Sequence, residues 1–419
     1  MIQEQIHVQN PHWSTGSISS YPVTRDLYSA LVKSLSIHPI TYLTGSRRIG
    51  KSVLFQQLMH HLLVNTHLPP KQLLFFSFPP RSPQNMIWEI WHYFHEEICD
   101  PKQPIYLFFD EVQYVKTYEV EIKQLYDIFP NLKICLTGSL SLSYKRRMQE
   151  SLTGRFLPFR LFPLSFLEYL NIAQHPTLDI VKKYKKEANS SIRLQLTNTI
   201  NPTFRNFLLH GRFPEMITLP EPFHSSYLNT IIDQSLSQDA FAYFNINDPV
   251  LLRAIYSQLI IQNGGLVTLA KLSSNSSIKT VARYLDILDL MGLTYLIYNT
   301  TSPVIKLNSS RKSYVNSAFY LNNPPFDLAT SMGFAVESYV LERLLTEDNE
   351  VSFWHQRQNE IDFLISKTKV AYEVKYRQNF SLPNAFYSHC EKTHYHPTII
   401  TLNQSDSTPV LTKTPAFAI

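Results

Sequence analysis

The sequence is poor in cysteine and glycine and has no long apolar run. Its three cysteines, Cys99, Cys135 and Cys390, have no paired spacing, which argues against a disulfide-built secreted domain and predicts a reducing, cytoplasmic location. The first residues do not place an apolar segment after a basic one, so no secretory signal is expected. No run of about 18 apolar residues occurs, and the sequence therefore predicts no membrane-spanning helix and no membrane partner.

The remaining composition is that of a folded protein with several domains. At 419 residues, two or three domains are expected. A hydrophobic content of 44% and an aromatic content of 13% are enough to build apolar cores. The formal net charge of +5 is compatible with contact to nucleic acid but does not by itself indicate it.

Two of only 10 glycines frame the most informative segment, residues 45–52. This segment fits the phosphate-loop pattern G-x-x-x-x-G-K-[ST], in which backbone N–H groups turn inward around an anion. Lys51 is expected to reach the β- and γ-phosphates of a nucleotide, and Ser52 to bind Mg²⁺. The alternative is a strand-to-helix turn that binds nothing, but an apolar strand before the loop and a helical pattern after it argue against this. The predicted nucleotide-binding residues are Gly45, Ser46, Arg47, Arg48, Ile49, Gly50, Lys51 and Ser52.

An apolar strand predicted over residues 105–109 ends in two acids, Asp110 and Glu111. Asp110, together with Ser52, would hold Mg²⁺ at the strand tip, directly or through water. Glu111 would orient and polarise an attacking water molecule. Strands often end in surface acids, which is the alternative, but this pair follows a phosphate loop along the chain.

Thr137 and Ser139 end the next apolar strand, predicted over residues 133–137. Either side chain could contact the γ-phosphate or the attacking water, and Ser139 is included among the candidate catalytic residues. Ordinary capping of a helix N-terminus by Ser139 is the alternative.

Apolar strands alternate with helical patterns over the first part of the chain. We expect strands at residues 40–44, 73–78, 105–109, 133–137 and 156–161. Continuous apolar strands separated by helices favour an α/β fold, in which a parallel sheet is covered by helices on both faces.

Residues 250–297 have the pattern of a small helical domain. A helix over about residues 278–285 follows a short turn and a Ser/Thr cap, which is the form of a helix-turn-helix, and residues 291–297 could begin a wing. Two interpretations stay open, a DNA-binding winged helix and a three-helix domain that contacts only protein. The lysine-rich residues 182–186 are interpreted as a solvated helix rather than a nucleic-acid patch.

The C-terminal residues return to a mixed pattern, with a helix near residues 331–345 and strands near 351–354, 361–365, 370–375 and 398–402. Glu373 and Lys375 are two apart in one predicted strand and therefore share a face. Asp362 on the preceding strand could join them, and Glu337 lies on the predicted helix.

The motifs of the chain resemble those of the AAA+-related P-loop ATPases of bacteria and archaea that carry an uncharacterised C-terminal domain. The resemblance rests on residues 41–52, 108–113, 136–139, 152–155, 161–169, 210–215 and 279–285. It implies ATP with Mg²⁺ as the ligand, and a lid followed by a winged helix. It also implies that Arg155 is an arginine finger that acts on a neighbouring subunit, with a surface arginine or ion-pair partner as the alternative. The sequence departs from the family at Arg212, where a second glycine is usual, and this puts a left-handed turn there in doubt.

The C-terminal pattern resembles the restriction-endonuclease-like fold, whose signature is an Asp and then Glu-x-Lys on adjacent strands. By this resemblance, Asp362 and Glu373 would bind Mg²⁺, and Lys375 would position or activate water. Glu337 would complete the acidic cluster. Such domains also serve as docking modules, so cleavage of DNA and docking are both open interpretations.

The expected fold class is therefore α/β. It comprises an AAA+-like P-loop parallel sheet, a helical and winged-helix region, and a small mixed α/β restriction-endonuclease-like domain. The expected boundaries are an N-terminal segment (1–35), an ATPase domain (36–172), a helical lid or linker (173–225), a winged-helix-like domain (226–325) and the C-terminal domain (326–419).

The first predicted function is an ATP-hydrolysing enzyme with Lys51, Glu111, Ser139 and Arg155 as catalytic residues. Its nucleotide cycle would act on the winged-helix and C-terminal domains, with DNA, a protein partner or a second copy of the chain as candidate partners. Two alternatives stay open, an ATP-regulated Mg-dependent DNA nuclease and a nucleotide-gated switch that binds ATP without turnover. Glu111 argues against the switch, because a switch does not need a water-polarising acid.

Overall fold

Five parallel strands form the first sheet of the structure, a computed structural model that describes residues 2–138, 154–244, 246–273, 276–300, 310–347, 350–376, 384–401 and 412–419. The strands are β1 (Ile40–Thr44), β2 (Leu73–Ser77), β3 (Ile105–Asp110), β4 (Leu132–Gly138) and β5 (Phe156–Arg160). Their order across the sheet is β2-β3-β4-β1-β5, and every neighbouring pair is parallel. The parallel sheet expected from the apolar runs is confirmed.

This sheet belongs to the first of two compact units, residues 1–162, and helices cover both of its faces. Phe108 and Phe109 are consecutive in β3 and so point to opposite faces. Phe108 packs edge-on against Phe55 of the helix that follows β1, with ring centroids 5.1 Å apart, and Phe109 packs in a core with Ile90. The described α-helices of this unit are Ile2–Gln9, His12–Thr15, Tyr28–Ser34, Lys51–Asn65, Met86–Glu97 and Tyr118–Ile128, and its described 3₁₀ turns are Pro70–Gln72 and Val112–Tyr114.

Side chains from the N-terminal segment close the outer edge of β2. The Gln9 carboxamide accepts from the Ser77 N–H at 2.7 Å and donates to the Ser77 carbonyl at 3.4 Å. The Asn10 carboxamide pairs with Phe75 in the same way, at 2.7 and 2.8 Å. Edge strands otherwise offer their backbone groups to other chains, and these amide side chains occupy the groups instead.

A second, mixed sheet runs through the other compact unit, residues 163–419. Its described strands are β6 (Leu266–Val267), β7 (Thr294–Asn299), β8 (Arg311–Val315), β9 (Val351–Gln356), β10 (Asn359–Ile365), β11 (Val370–Lys375), β12 (His396–Thr401) and β13 (Thr412–Pro415). Their order is β13-β12-β11-β10-β9-β7-β8-β6. The pairs β7–β9, β11–β12 and β12–β13 are parallel, and the other neighbouring pairs are antiparallel.

Along the chain, the helices of this unit lie before the first strand of the second sheet and between its later strands. The α-helices among the described residues are Phe166–Ile172, Thr177–Lys186, Ser190–His210, His224–Gln234, Ala240–Tyr243, Pro249–Ile261, Leu269–Leu272, Ile278–Leu290, Ser317–Asn322, Leu328–Thr346 and Asn384–Thr393. Ser235–Asp239 is a π-helical turn, and Pro214–Ile217, Glu221–Phe223 and Ala416–Ala418 are 3₁₀ turns. Across the described part of the chain, no helix combines the length and the apolar character needed to cross a bilayer.

One sheet includes the strands that the sequence assigned to two different domains. Tyr298 of β7 pairs with Ser352 of β9, and Asn299 pairs with Phe353. The Asn299 side chain also donates to the His355 carbonyl at 3.0 Å. The β7–β8 hairpin, predicted as part of a winged helix, is therefore continuous with the C-terminal strands. The boundaries predicted at residues 173, 226 and 326 stay predictions.

Arg212, where the chain departs from the family pattern, is fully buried and has no left-handed backbone. Its guanidinium forms an ion pair with Glu342 and donates to the Leu164 carbonyl. It also donates to Ser317 Oγ at 3.1 Å and lies 4.9 Å from the ring centre of Tyr339. A buried cation with its own partners therefore stands at this position, and the doubt about a left-handed turn is resolved in favour of an ordinary turn.

Candidate functional site

The phosphate loop needs glycine at both of its motif positions. Gly45 immediately follows β1 and has a φ of +153°, and a Cβ atom there would lie 2.5 Å from the Leu161 carbonyl oxygen. Gly50 has a φ of +100° and immediately precedes the Lys51–Asn65 helix. Residues with a side chain rarely adopt these angles, so the backbone conformation explains why the motif has glycine at positions 45 and 50.

Lys51 lies inside the loop. It is buried, and its Nζ donates to the Gly45 carbonyl at 3.1 Å and to the Ser46 carbonyl at 3.0 Å. The same Nζ lies 3.8 Å from Glu111 Oε1. The lysine predicted to bind phosphate and the acid predicted to polarise water are therefore neighbours across the site.

The other loop residues frame this lysine. Ser46 and Ile49 are buried, whereas Arg48 is exposed and has a left-handed φ of +60°. Arg47 is half-buried and donates from Nη2 to the Tyr114 hydroxyl at 3.1 Å. The two arginines thus have different surroundings, and Arg48 is the more exposed of the two.

Ser52 and Asp110 meet at the carboxyl edge of the sheet. Ser52 Oγ donates to Asp110 Oδ2 at 2.8 Å. The Thr137 hydroxyl donates to the other oxygen, Asp110 Oδ1, and accepts from the Glu111 N–H at 3.0 Å. Since β3 and β4 are parallel neighbours, their carboxyl ends lie side by side, and Thr137 contacts the carboxylate of Asp110 and the backbone of Glu111. The sequence proposed Thr137 as a contact for phosphate or water, and here it orients the Asp110 carboxylate and the Glu111 backbone.

Glu111 stands in a constrained position. Its backbone is left-handed, with a φ of +53°, and its Oε2 accepts from the side-chain amide of Gln113. Gly138 makes room for this amide, since a Cβ atom on Gly138 would lie 2.9 Å from Gln113 Oε1 and 2.7 Å from the Tyr42 hydroxyl. Gln113 was not predicted as a site residue, because a glutamine two residues after an acid carries no motif signal of its own.

Two further predicted catalytic residues have separate outcomes. Ser139 lies outside the described residues. Arg155 forms an ion pair with Asp127, with Nε 2.9 Å from Oδ1, and its guanidinium carbon lies 5.9 Å from the ring centre of Tyr126. The ion-pair interpretation of Arg155 therefore describes this structure, and its role as an arginine finger stays a prediction.

The C-terminal residues singled out in the sequence lie together on neighbouring strands. Asp362 Oδ2 accepts from the Val374 N–H at 2.9 Å, across the β10–β11 pair. Lys375 Nζ donates to Glu373 Oε1 at 2.6 Å. Within the part of the chain that the structure describes, Glu373 Oε2 is buried without a hydrogen-bond partner. The β10–β11 pair thus brings Asp362, Glu373 and Lys375 together, and their role as a metal site stays a prediction.

A second group of residues completes this carboxylate cluster, which we define as Glu337, Glu360, Asp362 and Glu373. Tyr314 donates to Glu337 Oε1 at 2.7 Å. Lys312, almost fully buried on β8, forms an ion pair with Glu360 and lies 4.0 Å from Asp362 Oδ1. Sequence reasoning missed Lys312 and Tyr314, because the β7–β8 hairpin was assigned to another domain.

The charged groups of the cluster change one another's pKa values. Burial, and then the Asp362 carboxylate, raise the pKa of Glu337 to about 8 and that of Glu373 to about 7. Burial opposes the charge of Lys312 and Lys375, but the surrounding carboxylates, led by Asp362, outweigh it and raise the pKa of both ammonium groups. Within the residues that the structure describes, no group of three or more His, Cys, Asp or Glu side chains is arranged to hold a metal ion.

Three segments of the chain match known families. Residues 37–170 match the AAA domain. Residues 201–322 and 332–414 match two domains of unknown function, DUF8612 and DUF4143. The three matches cover the phosphate loop, the β7–β8 hairpin and the carboxylate cluster in turn.

The chain is similar along most of its length to uncharacterized proteins. One from Haemophilus influenzae is 24% identical over 386 residues, which are 85% of this chain and 88% of the relative. One from Methanocaldococcus jannaschii is 25% identical over 370 residues, which are 85% of this chain and 78% of the relative. Among solved structures, that of the Aeropyrum pernix ORC1 protein in complex with DNA has a TM-score of 0.29 and 10% identity, and covers 73% of this chain and 94% of that one.

The parallel sheet and the AAA domain match coincide along the chain. Residues 37–170 contain β1 to β5, the phosphate loop and both acids that follow β3. The N-terminal unit is therefore a P-loop NTPase-like AAA domain, and two domains of unknown function follow it in the chain.

Proposed function

We propose that the protein binds and hydrolyses ATP with Mg²⁺ at the carboxyl edge of its first sheet. One observation carries the proposal: Ser52 Oγ lies 2.8 Å from Asp110 Oδ2 where Lys51 Nζ lies 3.8 Å from Glu111 Oε1. Open α/β sheets bind ligands beyond the carboxyl ends of their strands, which is where these pairs lie. The AAA domain match over the same residues supports ATP as the nucleotide.

The residues at this edge fit a magnesium nucleotide. The Ser52 hydroxyl and the Asp110 carboxylate place two oxygen ligands next to each other, and oxygen is the ligand that Mg²⁺ prefers. The glycine angles at both ends of the loop suit a backbone that presents its N–H groups to phosphate. Lys51 would exchange the loop carbonyls for phosphate oxygens.

The acids and their neighbours then have distinct tasks. Mg-ATP, when bound, supplies the phosphoryl group that is transferred to water. Glu111 would accept a hydrogen bond from the attacking water and hold it in line. Thr137 and Gln113 fix the backbone and the carboxylate of Glu111, and Lys51 would offset charge on the transferred group. On the family pattern, we further propose that Ser139 contacts the γ-phosphate or the water, and that Arg155 acts on the site of a neighbouring copy.

Phosphate release from ATP by the full chain tests this function. Lys51→Ala and Glu111→Gln should each lower turnover by about 100-fold or more, since each removes a group that acts on the reacting phosphate or water. Glu111→Gln should still bind ATP, whereas Lys51→Ala should bind it weakly. Exposed Glu97 serves as the matched control, because Glu97→Gln makes the same change away from the site.

The outcomes separate the first hypothesis from the switch. Full activity in Lys51→Ala would contradict the ATPase proposal. Tight ATP binding by the wild-type protein without any turnover would instead favour the nucleotide-gated switch.

The carboxylate cluster supports a second candidate function, Mg-dependent cleavage of DNA. The observation that favours it is the buried Glu373 Oε2, which has no hydrogen-bond partner among the described residues, since such an oxygen suits a cation. Asp362 and Glu373 would hold the metal, and Lys375 would position water. Lys312 lies 4.0 Å from Asp362 Oδ1, so a metal ion would share this carboxylate with a buried ammonium group.

Nicking of supercoiled plasmid in Mg²⁺ or Mn²⁺ tests the nuclease. Activity should appear in the wild-type protein, depend on ATP if the two sites are linked, and be lost in Asp362→Asn and Lys375→Ala. Absence of cleavage under every metal and nucleotide condition would leave docking as the role of this domain.

DNA contact is also proposed for the Ile278–Leu290 helix. Lys279 and Arg283 are exposed on it, as a recognition helix requires. Fluorescence anisotropy with a labelled duplex should show binding that weakens steeply with salt and weakens further in Arg283→Ala. Salt-independent binding, or none, would favour the alternative of a protein-contacting helical domain. With the proposed ATPase function, we also propose a cytoplasmic location and a homo-oligomeric protein.

A further inference from the structure

Arg25 lies before the first sheet in the chain but reaches the phosphate loop. The residue is buried, with 8% of its surface exposed. Its Nη1 donates to the Ile49 carbonyl at 2.7 Å, and its Nη2 donates to the Phe162 carbonyl at 2.8 Å. Bonds from a charged donor are stronger than those between neutral groups. One guanidinium therefore links the loop to the chain just beyond β5.

The helix after the loop holds the same segment in place. Gln57, buried on the Lys51–Asn65 helix, donates from Nε2 to the Tyr21 carbonyl at 3.0 Å and to the Val23 carbonyl at 2.9 Å. Residues 21–25 are thus attached to the helix at one end and to the loop at the other. These bonds fix the position of the Arg25 backbone, and the guanidinium therefore reaches the loop in a defined geometry.

The contact with Ile49 fixes the direction of a peptide group. The Ile49–Gly50 peptide is trans, and in a trans peptide the C=O and the N–H point in opposite directions. Because Arg25 holds the Ile49 oxygen, the Gly50 N–H points away from Arg25. Backbone N–H groups of such a loop are the donors that hold phosphate.

We propose that Arg25 is a positioning residue of the phosphate loop, which holds the Ile49–Gly50 peptide so that the Gly50 N–H faces the bound phosphate. This inference rests on the ATP-binding function proposed above. Arg25 acts on the loop and not on the acids of β3. Loss of Arg25 therefore weakens the binding of ATP in the ground state and in the transition state by the same amount. KM then rises and kcat stays nearly unchanged.

Steady-state ATP hydrolysis and equilibrium binding of Mg-ATP and Mg-ADP by the full chain test the inference. Arg25→Ala should raise KM and both dissociation constants by about tenfold or more, with kcat within about threefold of wild type. Arg25→Lys keeps the charge but cannot bridge both carbonyls, so its affinity should be intermediate. Arg253→Ala is the matched control, because this arginine forms an exposed ion pair on another part of the chain.

Chemical rescue separates positioning from a merely structural effect. Guanidinium ion at low, non-denaturing concentration should restore nucleotide affinity to Arg25→Ala and leave the wild-type protein unchanged, whereas methylammonium should restore less. A purely structural defect would be worsened by guanidinium. If Arg25→Ala does not fold, the KM and kcat of Arg25→Lys carry the test.

The possible results are distinguishable. Wild-type protein that binds no Mg-ATP would overturn the proposed function and this inference together. Wild-type protein that binds and hydrolyses ATP, with Arg25→Ala and Arg25→Lys unchanged in KM, would overturn this inference alone. A loss confined to kcat would also overturn it, since it would place Arg25 in the chemistry rather than in the loop.

Discussion

The buried ion pair between Arg212 and Glu342 predicts an unusual pH dependence of stability. Both residues are about 1% exposed, and Ser317 donates its N–H to Glu342 Oε1 at 2.9 Å. Arg212→Met keeps most of the apolar stem and removes the charge. The Glu342 carboxylate then stays in the core without its counter-ion, and removal of one partner of such a pair typically costs about 3–5 kcal/mol of unfolding free energy.

The sign of the pH effect follows from the pKa of Glu342. Burial raises the pKa of this carboxyl, and Arg212 opposes the rise. Without Arg212 the folded-state pKa rises further above the unfolded value, so the folded chain keeps a proton that the unfolded chain releases. Stability of Arg212→Met should therefore fall as the pH rises above about 4.5, and its deficit against wild type should be larger at pH 8 than at pH 5.

Urea denaturation of the full chain, followed by circular dichroism, measures this deficit. The double variant Arg212→Met/Glu342→Gln is the informative partner, because its neutral amide still accepts from the Ser317 N–H. It should recover most of the stability at pH 8 and show little pH dependence. An Arg212→Met deficit below about 1 kcal/mol at pH 8, or one that does not change with pH, would refute the reasoning.

Three further predictions concern other parts of the fold. Thr137→Val removes the hydroxyl that donates to Asp110 and should lower ATP turnover by about tenfold. Thr137→Ser keeps a hydroxyl and should keep the turnover of the wild-type protein. Equal activity of the two variants in a phosphate-release assay would contradict the orienting role. Burial, and then the Asp362 carboxylate, raise the pKa of Glu337 to about 8, so the stability of the folded chain should fall as pH rises from about 4.5 to 8. Glu337→Gln removes this titration and should flatten the pH profile of stability in thermal denaturation. An unchanged profile would contradict this. Asn10→Leu leaves the Phe75 backbone groups at the β2 edge without their partner and should lower the unfolding free energy by about 2–4 kcal/mol in urea denaturation. The control Gln5→Leu changes an exposed residue and should lower it little. Equal losses of unfolding free energy in the two variants would contradict the edge-closing role.

The first sheet and the phosphate loop could be predicted because their signals are local. A strand buried on both faces is a continuous apolar run, and the loop is a single motif of residues 45–52. Arg25 and Gln113 could not be found in this way. Arg25 contacts the Ile49 carbonyl, 24 positions away in the chain, and the Phe162 carbonyl, 137 positions away, and such contacts leave no spacing to recognise.

The carboxylate cluster was predictable in part for the same reason. Strand alternation places Glu373 and Lys375 on one face, and the next strand brings Asp362 beside them. Lys312 comes from β8, and it reaches the cluster only because β7 pairs with β9, a long-range pairing that alternation cannot specify. The Arg212 environment was equally hidden, since its partner Glu342 lies 130 positions along the chain.

The continuity of the second sheet has a practical consequence for dividing the protein. A cut between residues 322 and 332 falls between two recognised families, yet it would separate β7 from β9 and leave each fragment with a freshly exposed strand edge. Exposed edges pair with whatever strand is available, including a second copy of the same fragment. We therefore expect the C-terminal fragment expressed alone to self-associate, and the smallest autonomous piece that retains the carboxylate cluster to begin near residue 163.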